Sequence, residues 1–316
     1  MRIFALSPSD TDDDTIEVDE LRTLRPHTSP VVTIATDRTG TLVGTGGADG
    51  VVKIWDIRGG YTTHTFHGHG GVVSALHFFE VTTAENEDTS ENNKKRKRKS
   101  RQEQAESENQ GESQIQYRLA SGAEDGKIRI WDLHKRKSAA VLDSHVSVVR
   151  SLQYSPEEKV LLSGSRDKTL IIWESNRWKA QRTIAALEGI ESAGFVANGH
   201  IVYSGGENGR IRLWSVATGR ELTREQEPGI ETDEIVNVLY HASLPYLVSV
   251  HADQVLNFHS LRSTNSLVVE ETIEPLPIFR RVSGTHDEVI DMAYVGRDKS
   301  LLALNHKLTL QLLNPP

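Results

Sequence analysis

Apolar and polar positions alternate with a period of two along most of this chain, in short runs that break at Gly, Asp, Asn and Ser. From Val148 to Leu187 the runs are VVRSLQY, KVLLSGS, TLIIWES and AQRTIAAL, separated by turn residues. Alternation of this length bounded by such residues predicts half-buried β-strands, here four in succession. The pattern recurs, and the recurrence defines the architecture.

Four segments align without gaps: TGGADGVVKIW from Thr45, SGAEDGKIRIW from Ser121, SGSRDKTLIIW from Ser163 and SGGENGRIRLW from Ser204. In each, a Ser or Thr is followed four residues later by Asp49, Asp125, Asp167 or Asn208, and ten later by Trp55, Trp131, Trp173 or Trp214. The first three also carry a histidine ahead of the preceding apolar run: His27, His69 and His145. Ile190 stands for it in the fourth. Serine, histidine and aspartate together raise the prospect of a hydrolase triad, but a triad is a single constellation per active site. Three copies in one chain argue for a structural network, in which a buried imidazole, hydroxyl and indole N–H satisfy one another. The units resemble WD repeats, with Gly68-His69 as the "GH" and Trp55-Asp56 and Trp131-Asp132 as the "WD". That resemblance implies an all-β propeller of four-stranded antiparallel blades, with a hydrogen-bonded His, Ser/Thr, Asp and Trp in each.

Weaker copies extend the count to about seven blades. His259 in QVLNFHSL lies ten residues after Ser249, where tryptophan is expected; Gln311 in KLTLQLL and Phe4 in MRIFAL align at the same position. The blades without tryptophan are expected to rely on apolar packing. The first and last blades read as incomplete, which leads to the expectation that the chain is a fragment of a longer protein. Residues 1–316 are otherwise expected to form one propeller with two interruptions.

The first interruption, Glu80 to Gln116, is free of aromatics and poor in apolar residues, so it is expected to be disordered. It contains the basic run Lys94, Lys95, Arg96, Lys97, Arg98 and Lys99, read as a nuclear localisation signal or an RNA contact, the alternative being a solvated loop with acidic flanks. The second, Leu261 to Phe279, is irregular and is expected to hold an extra strand or a partner contact.

Composition removes several chemistries. Among 316 residues there is no cysteine, so disulfides, thiol catalysis and cysteine-zinc sites are out. The formal charge of -8 speaks against nucleic-acid affinity spread over the whole surface, leaving room for a local basic patch. No apolar run approaches the roughly 18 residues of a membrane span, and MRIFALSPSD has no signal-peptide apolar region. There is no G-x-S-x-G, no phosphate-binding G-x-x-x-x-G-K-[ST] and no H-E-x-x-H; GGADG and GGENG join strand to strand and are hairpin turns. His64, His67 and His69 are close in sequence, but without supporting carboxylates they do not make a metal site. No catalytic residue, cofactor, metal or small-molecule substrate is assigned.

The stretch Val31 to Phe78, with ATDRTG, GGADGVVKIWDIRGGY and HGHGGVVSALHF, and THDEVIDMAYV near Glu288, resembles the transducin-beta-like, tandem-propeller family of UTP-B subunits in the small-subunit processome. The resemblance implies that most of the chain is a first propeller, without the earliest blade strands, the second propeller and the helical C-terminal domain. It implies a non-catalytic nuclear and nucleolar scaffold for pre-rRNA processing. Its implied partners are the propeller and helical subunits of a UTP-B-like complex, with pre-rRNA or a small nucleolar ribonucleoprotein nearby and no membrane. The repeat pattern alone leaves open a general adaptor, such as a ubiquitin-ligase substrate receptor or a chromatin module.

Overall fold

The computed structural model describes residues 1–8, 16–25, 27–82, 115–196, 199–223, 233–261, 276, 278–282, 289–295, 300–305 and 310–313. Among these the chain runs up and down through seven antiparallel sheets. The first pairs β1 (Arg2–Pro8) with β2 (Ile16–Thr23). Three four-stranded sheets follow: β3 (Val31–Thr36), β4 (Leu42–Gly47), β5 (Val52–Asp56) and β6 (Tyr61–Phe66); then β7 (Val73–Thr82), β8 (Ile115–Ala123), β9 (Lys127–Asp132) and β10 (Lys137–Asp143); then β11 (Val149–Ser155), β12 (Val160–Ser165), β13 (Thr169–Glu174) and β14 (Lys179–Ala185). A three-stranded sheet holds β15 (Ile190–Val196), β16 (Ile201–Gly206) and β17 (Arg212–Ser215). The last two comprise β18 (Ile235–Tyr240), β19 (Tyr246–His251), β20 (Leu256–Ser260) and β21 (Ile278–Val282), then β22 (Val289–Val295), β23 (Ser300–Asn305) and β24 (Leu310–Leu313). In every sheet, neighbours in sequence are neighbours in space.

The first strands β3, β7, β11, β15 and β18 pack on their successors in turn, and the core lies between consecutive sheets. Val52, Ile54 and Phe66 of one sheet pack on Val73, Leu119 and Trp131 of the next, with Phe66 stacked 4.6 Å from Trp131. Ile128 and Ile130 likewise pack on Leu152, Leu161 and Trp173. Sheets covered on both faces need continuous apolar strands, which is why β12 is buried at every position while the outermost strand β14 is mostly exposed. Between β11–β14 and β15–β17, Arg150 and Arg166 both pair with the buried carboxylate of Glu191.

The registers correct several assignments. Glu80, Val81 and Thr82 continue β7 and pair with Tyr117, Gln116 and Ile115 of β8, so the hairpin reaches into both ends of the segment expected to be a loop. The ladder of backbone hydrogen bonds outweighs the poor apolar content there. Residues 83–114, with the Lys94–Lys99 run, lie outside the described residues. In the second interruption, Ile278 and Phe279 open β21, while Leu261 and Leu276 are buried in the core beside β18. Pairing of Leu161 with Trp173 matches that of Leu301 with Leu313, so Leu313 and not Gln311 occupies the tryptophan position of the last sheet. Phe4 does follow the register shift that precedes Trp55 and Trp173, but it is 43% exposed and anchors little.

Among the described residues, the turn between the second and third strands of a blade occurs five times with one residue in the left-handed region. The residues are Gly50, Gly126, Lys168, Gly209 and Gln254, each donating its N–H to a carbonyl three residues back. At Gly126, φ is 73° and a Cβ would lie 2.5 Å from the His145 carbonyl oxygen, so glycine is required on both counts. Lys168 adopts φ 69° with a side chain attached. Gly126→Ala is therefore expected to destabilise by about 1–3 kcal/mol, and Lys168→Gly to stabilise by up to about 1 kcal/mol, both measured by urea unfolding.

Candidate functional site

The repeated Ser, His, Asp and Trp converge in three blades. Trp55 Nε1–H donates to Thr45 Oγ1 at 3.1 Å, His27 Nε2 lies 2.9 Å from the same oxygen, and His27 Nδ1 lies 3.0 Å from Asp49. In the next blade Trp131 donates to Ser121 at 2.8 Å, with His69 2.7 Å from that oxygen and 3.3 Å from Asp125. In the third, Trp173 donates to Ser163 at 2.9 Å, with His145 2.7 Å from the oxygen and 2.8 Å from Asp167. Thr45, Ser121 and Ser163 are completely buried.

Local sequence puts each part in place. The Ser/Thr sits mid-way along the second strand of its sheet and the Trp on the third, ten residues on, so the indole reaches back across the ladder. The Asp lies in the turn, where its carboxylate accepts the N–H two residues ahead: Val51, Lys127 or Thr169. The histidine arrives from the segment before the first strand.

Proton bookkeeping closes with a neutral imidazole. An ionised Asp can only accept, so Nδ1 carries the ring proton; Nε2 then accepts from the hydroxyl, whose oxygen accepts the indole N–H. Burial pushes His69 and His145 below the ordinary histidine value against the pull of Asp125 and Asp167. Burial raises Asp167, but hydrogen bonds from Thr169, the Val146 N–H and the His145 Nδ1–H overcome it, and the carboxyl falls below its usual range. A serine oxygen that is buried and already holds an indole has no path to a substrate carbonyl, so the triad-like connectivity is structural here.

The sheets β15–β17 and β18–β21 vary the theme. Trp214 donates to Ser204 at 2.8 Å, but the histidine position, eighteen residues before Ser204, is the buried Ala186, and Ile190 instead opens β15 as Val149 opens β11. Glu188, 1% exposed, takes over: it accepts the Asn208 N–H at 2.9 Å and pairs with Arg212 at 3.2 Å. Burial drives its carboxyl upward, opposed by Asn208 and Arg212. In β18–β21 the expectation of apolar packing alone is overturned. His259, at the tryptophan position, lies 2.8 Å from Ser249 Oγ, and His251 lies 2.9 Å from the same oxygen. His251 Nδ1–H donates to the Asp233 carbonyl, and its Nε2 accepts from Asn257. Ser249 is fully buried, so a polar closure was obligatory. Asp253 serves the turn by accepting the Val255 N–H.

Sequence reasoning missed Glu188, His251, Asn257 and Thr169. His251 carried a signal: an imidazole two residues after the repeat serine, on the same strand face. His64 is on β6 with Nε2 2.8 Å from the Leu133 carbonyl oxygen, and among the described residues no His, Asp or Glu grouping forms a metal site.

Substituting His145→Ala or Trp173→Phe leaves buried partners unsatisfied and is expected to cost about 1–3 kcal/mol in chemical denaturation. Unchanged unfolding midpoints would refute the network's energetic role. A second expectation concerns pH. Burial, reinforced by neighbouring His251, pushes His259 down to about 4. The unfolded chain binds that proton near pH 6.5, so stability is full above 6.5 and is lost as pH falls toward 4, by on the order of 3 kcal/mol. His259→Trp should flatten the slope in this window; an identical pH profile would sink the assignment.

Comparison with known proteins places these features in context. Residues 17–218 match the β-propeller family described as nucleolar protein 10-like, N-terminal domain. Transducin beta-like protein 3 of Bos taurus is 31% identical over 288 residues, 87% of this chain and 30% of the relative. U3 small nucleolar RNA-associated protein 13 of Saccharomyces cerevisiae is 30% identical over 288 residues, 87% of this chain and 31% of the relative. The chain thus spans about 30% of the length of these curated relatives. Among solved structures, a chain of the mitotic checkpoint complex aligns with TM-score 0.69 at 17% identity, covering 95% of this chain and 78% of that one, and a computationally designed protein, Ika8, with 0.64 at 20%, covering 99% and 80%. Both likenesses concern the fold alone.

Proposed function

The chain belongs to the nucleolar protein 10-like N-terminal domain family, and from that premise we propose that it is a non-catalytic scaffold of small-subunit ribosome biogenesis, acting in the nucleolus on pre-rRNA processing. The observation that carries the reading is the similarity, over 87% of the chain, to U3 small nucleolar RNA-associated protein 13. Residues 1–316 act as one propeller whose faces hold neighbouring propeller and helical subunits of a UTP-B-like complex, close to pre-rRNA and a small nucleolar ribonucleoprotein. A rigid ring of sheets joined by buried polar networks suits this role, since a scaffold must present fixed surfaces. The hydroxyls that mimic a triad are occupied and buried, which supports a role without catalysis, cofactor or small-molecule substrate.

Two measurements test the proposal. Affinity purification of the tagged full chain from eukaryotic cells should enrich small-subunit rRNA precursors and propeller subunits of the processome; recovery of a ubiquitin-ligase core or chromatin proteins instead would reject it. Replacing Lys94 through Lys99 with serine should leave thermal unfolding unchanged while reducing nuclear accumulation or salt-dependent RNA crosslinking. Normal localisation and crosslinking in that variant would leave the basic run without either role.

A further inference from the structure

At the end of the sheets opposite the second-to-third strand turns, a cleft of about 360 Å³ opens between β7–β10 and β11–β14. Its charge is lopsided. Arg118, Lys135 and Lys137 line it, and the acid in the wall, Asp132, is 2% exposed and already committed. Asp132 Oδ1 accepts the Lys135 N–H at 2.8 Å, and its Oδ2 lies 3.8 Å from Lys135 Nζ. Arg118 Nε is buried without a hydrogen-bond partner, and its Nη2 makes only a 3.5 Å contact with Gln116. Lys137 has no acidic partner among the described residues. A half-buried guanidinium with one unmatched donor, Nε, beside an exposed ammonium is an arrangement that recognises an oxyanion.

The walls also select the kind of molecule that brings the oxyanion. The β9–β10 register shifts between Ser138 and Ala140, which leaves Ala139, in the cleft wall, without a ladder partner. Trp178 closes the other side, but its ring packs edge-on against Phe79 at 5.9 Å and is partly buried against the apolar core between the sheets. It is a wall and not a free stacking platform of the kind single-stranded nucleic acid requires. The volume suits a few residues of extended chain.

We propose that this cleft binds an extended acidic peptide of a partner protein, with a side-chain oxyanion, carboxylate or phosphate, held by Arg118 and Lys137. The assignment stands on the cleft itself and does not depend on the ribosome-biogenesis reading.

The test uses the full 316-residue chain and three fluorescent peptides of equal length, rich in glutamate, phosphoserine or unmodified serine, read by fluorescence polarisation. The glutamate or the phosphoserine peptide should bind and the serine peptide should not; which of the two binds tighter identifies the source of the oxyanion. Lys135→Glu combined with Lys137→Glu should weaken binding by about tenfold or more, the order of a lost charge-assisted contact, with unchanged thermal unfolding because both side chains are exposed. The charge-matched control Arg38→Glu with Arg58→Glu, exposed residues on another sheet, should bind as the parent does, and so should the serine replacement of Lys94 through Lys99. Absence of binding by the parent chain, equal loss in either control, or tighter cleft-dependent binding of an oligouridylate would overturn the proposal.

Discussion

A tryptophan N–H held by a buried serine or threonine oxygen is the contact on which the rest of four blades depends. The oxygen is shut off from water between second and third strands, where an unmade hydrogen bond costs about 1–3 kcal/mol. Taking the indole proton satisfies the donor, but the hydroxyl's own hydrogen must then go somewhere, and it goes to the imidazole. The imidazole in turn needs a group that accepts from Nδ1, which the turn aspartate supplies. One unsatisfied atom therefore dictates four residues from four different parts of the repeat. The connection fixes how the segment ahead of the first strand lies over its own blade, and hence where that strand joins the neighbouring sheet.

The same logic explains the variants. Where Ala186 supplies no imidazole, Ser204 still holds Trp214, and the loop is fixed by Glu188 through the Asn208 N–H. Where the indole is missing, His259 reaches the serine and His251 supplies the second ring. The chemistry that must be conserved within the blade is closure of the hydrogen-bond chain around one buried oxygen, and several residue sets achieve it. This also separates the network from catalysis. A nucleophilic serine needs an approach path, whereas here the oxygen accepts an indole N–H and is fully buried.

The repeat was legible because it is written in local offsets: four residues from Ser to Asp and ten to Trp follow from a strand, a tight turn and a second strand. Strand order and turn positions come from the same signal. Whatever depends on register between non-identical repeats was less legible. Gln311 and Leu313 are both plausible by apolar alternation, and only pairing with Leu301 decides. Ile190 looked like a histidine replacement because it begins an apolar run, yet it is the strand's first residue. The extension of β7 and β8 beyond Phe79 and before Tyr117 was hidden because backbone pairing can outweigh a polar composition. The cleft left no trace in sequence at all: Arg118, Lys135 and Lys137 come from two strands and a turn whose convergence only the folded sheet creates.

Those residues point to a division of labour between the two ends of the sheets. The polar networks and the second-to-third strand turns crowd one end, where substitutions at the network Ser, His, Asp or Trp or at Gly126 act on stability. The opposite end carries the third-to-fourth strand turns, the cations of the cleft and the hairpin from which residues 83–114 depart, with Val81 in the cleft wall. Exposed side chains such as Lys135 and Lys137 touch none of the closure atoms. Charge and length can therefore change at this end at little cost to folding, because the interactions that hold the blades together are made elsewhere. A scaffold gains from that separation: its recognition surface is free to change charge while the frame presenting it stays fixed.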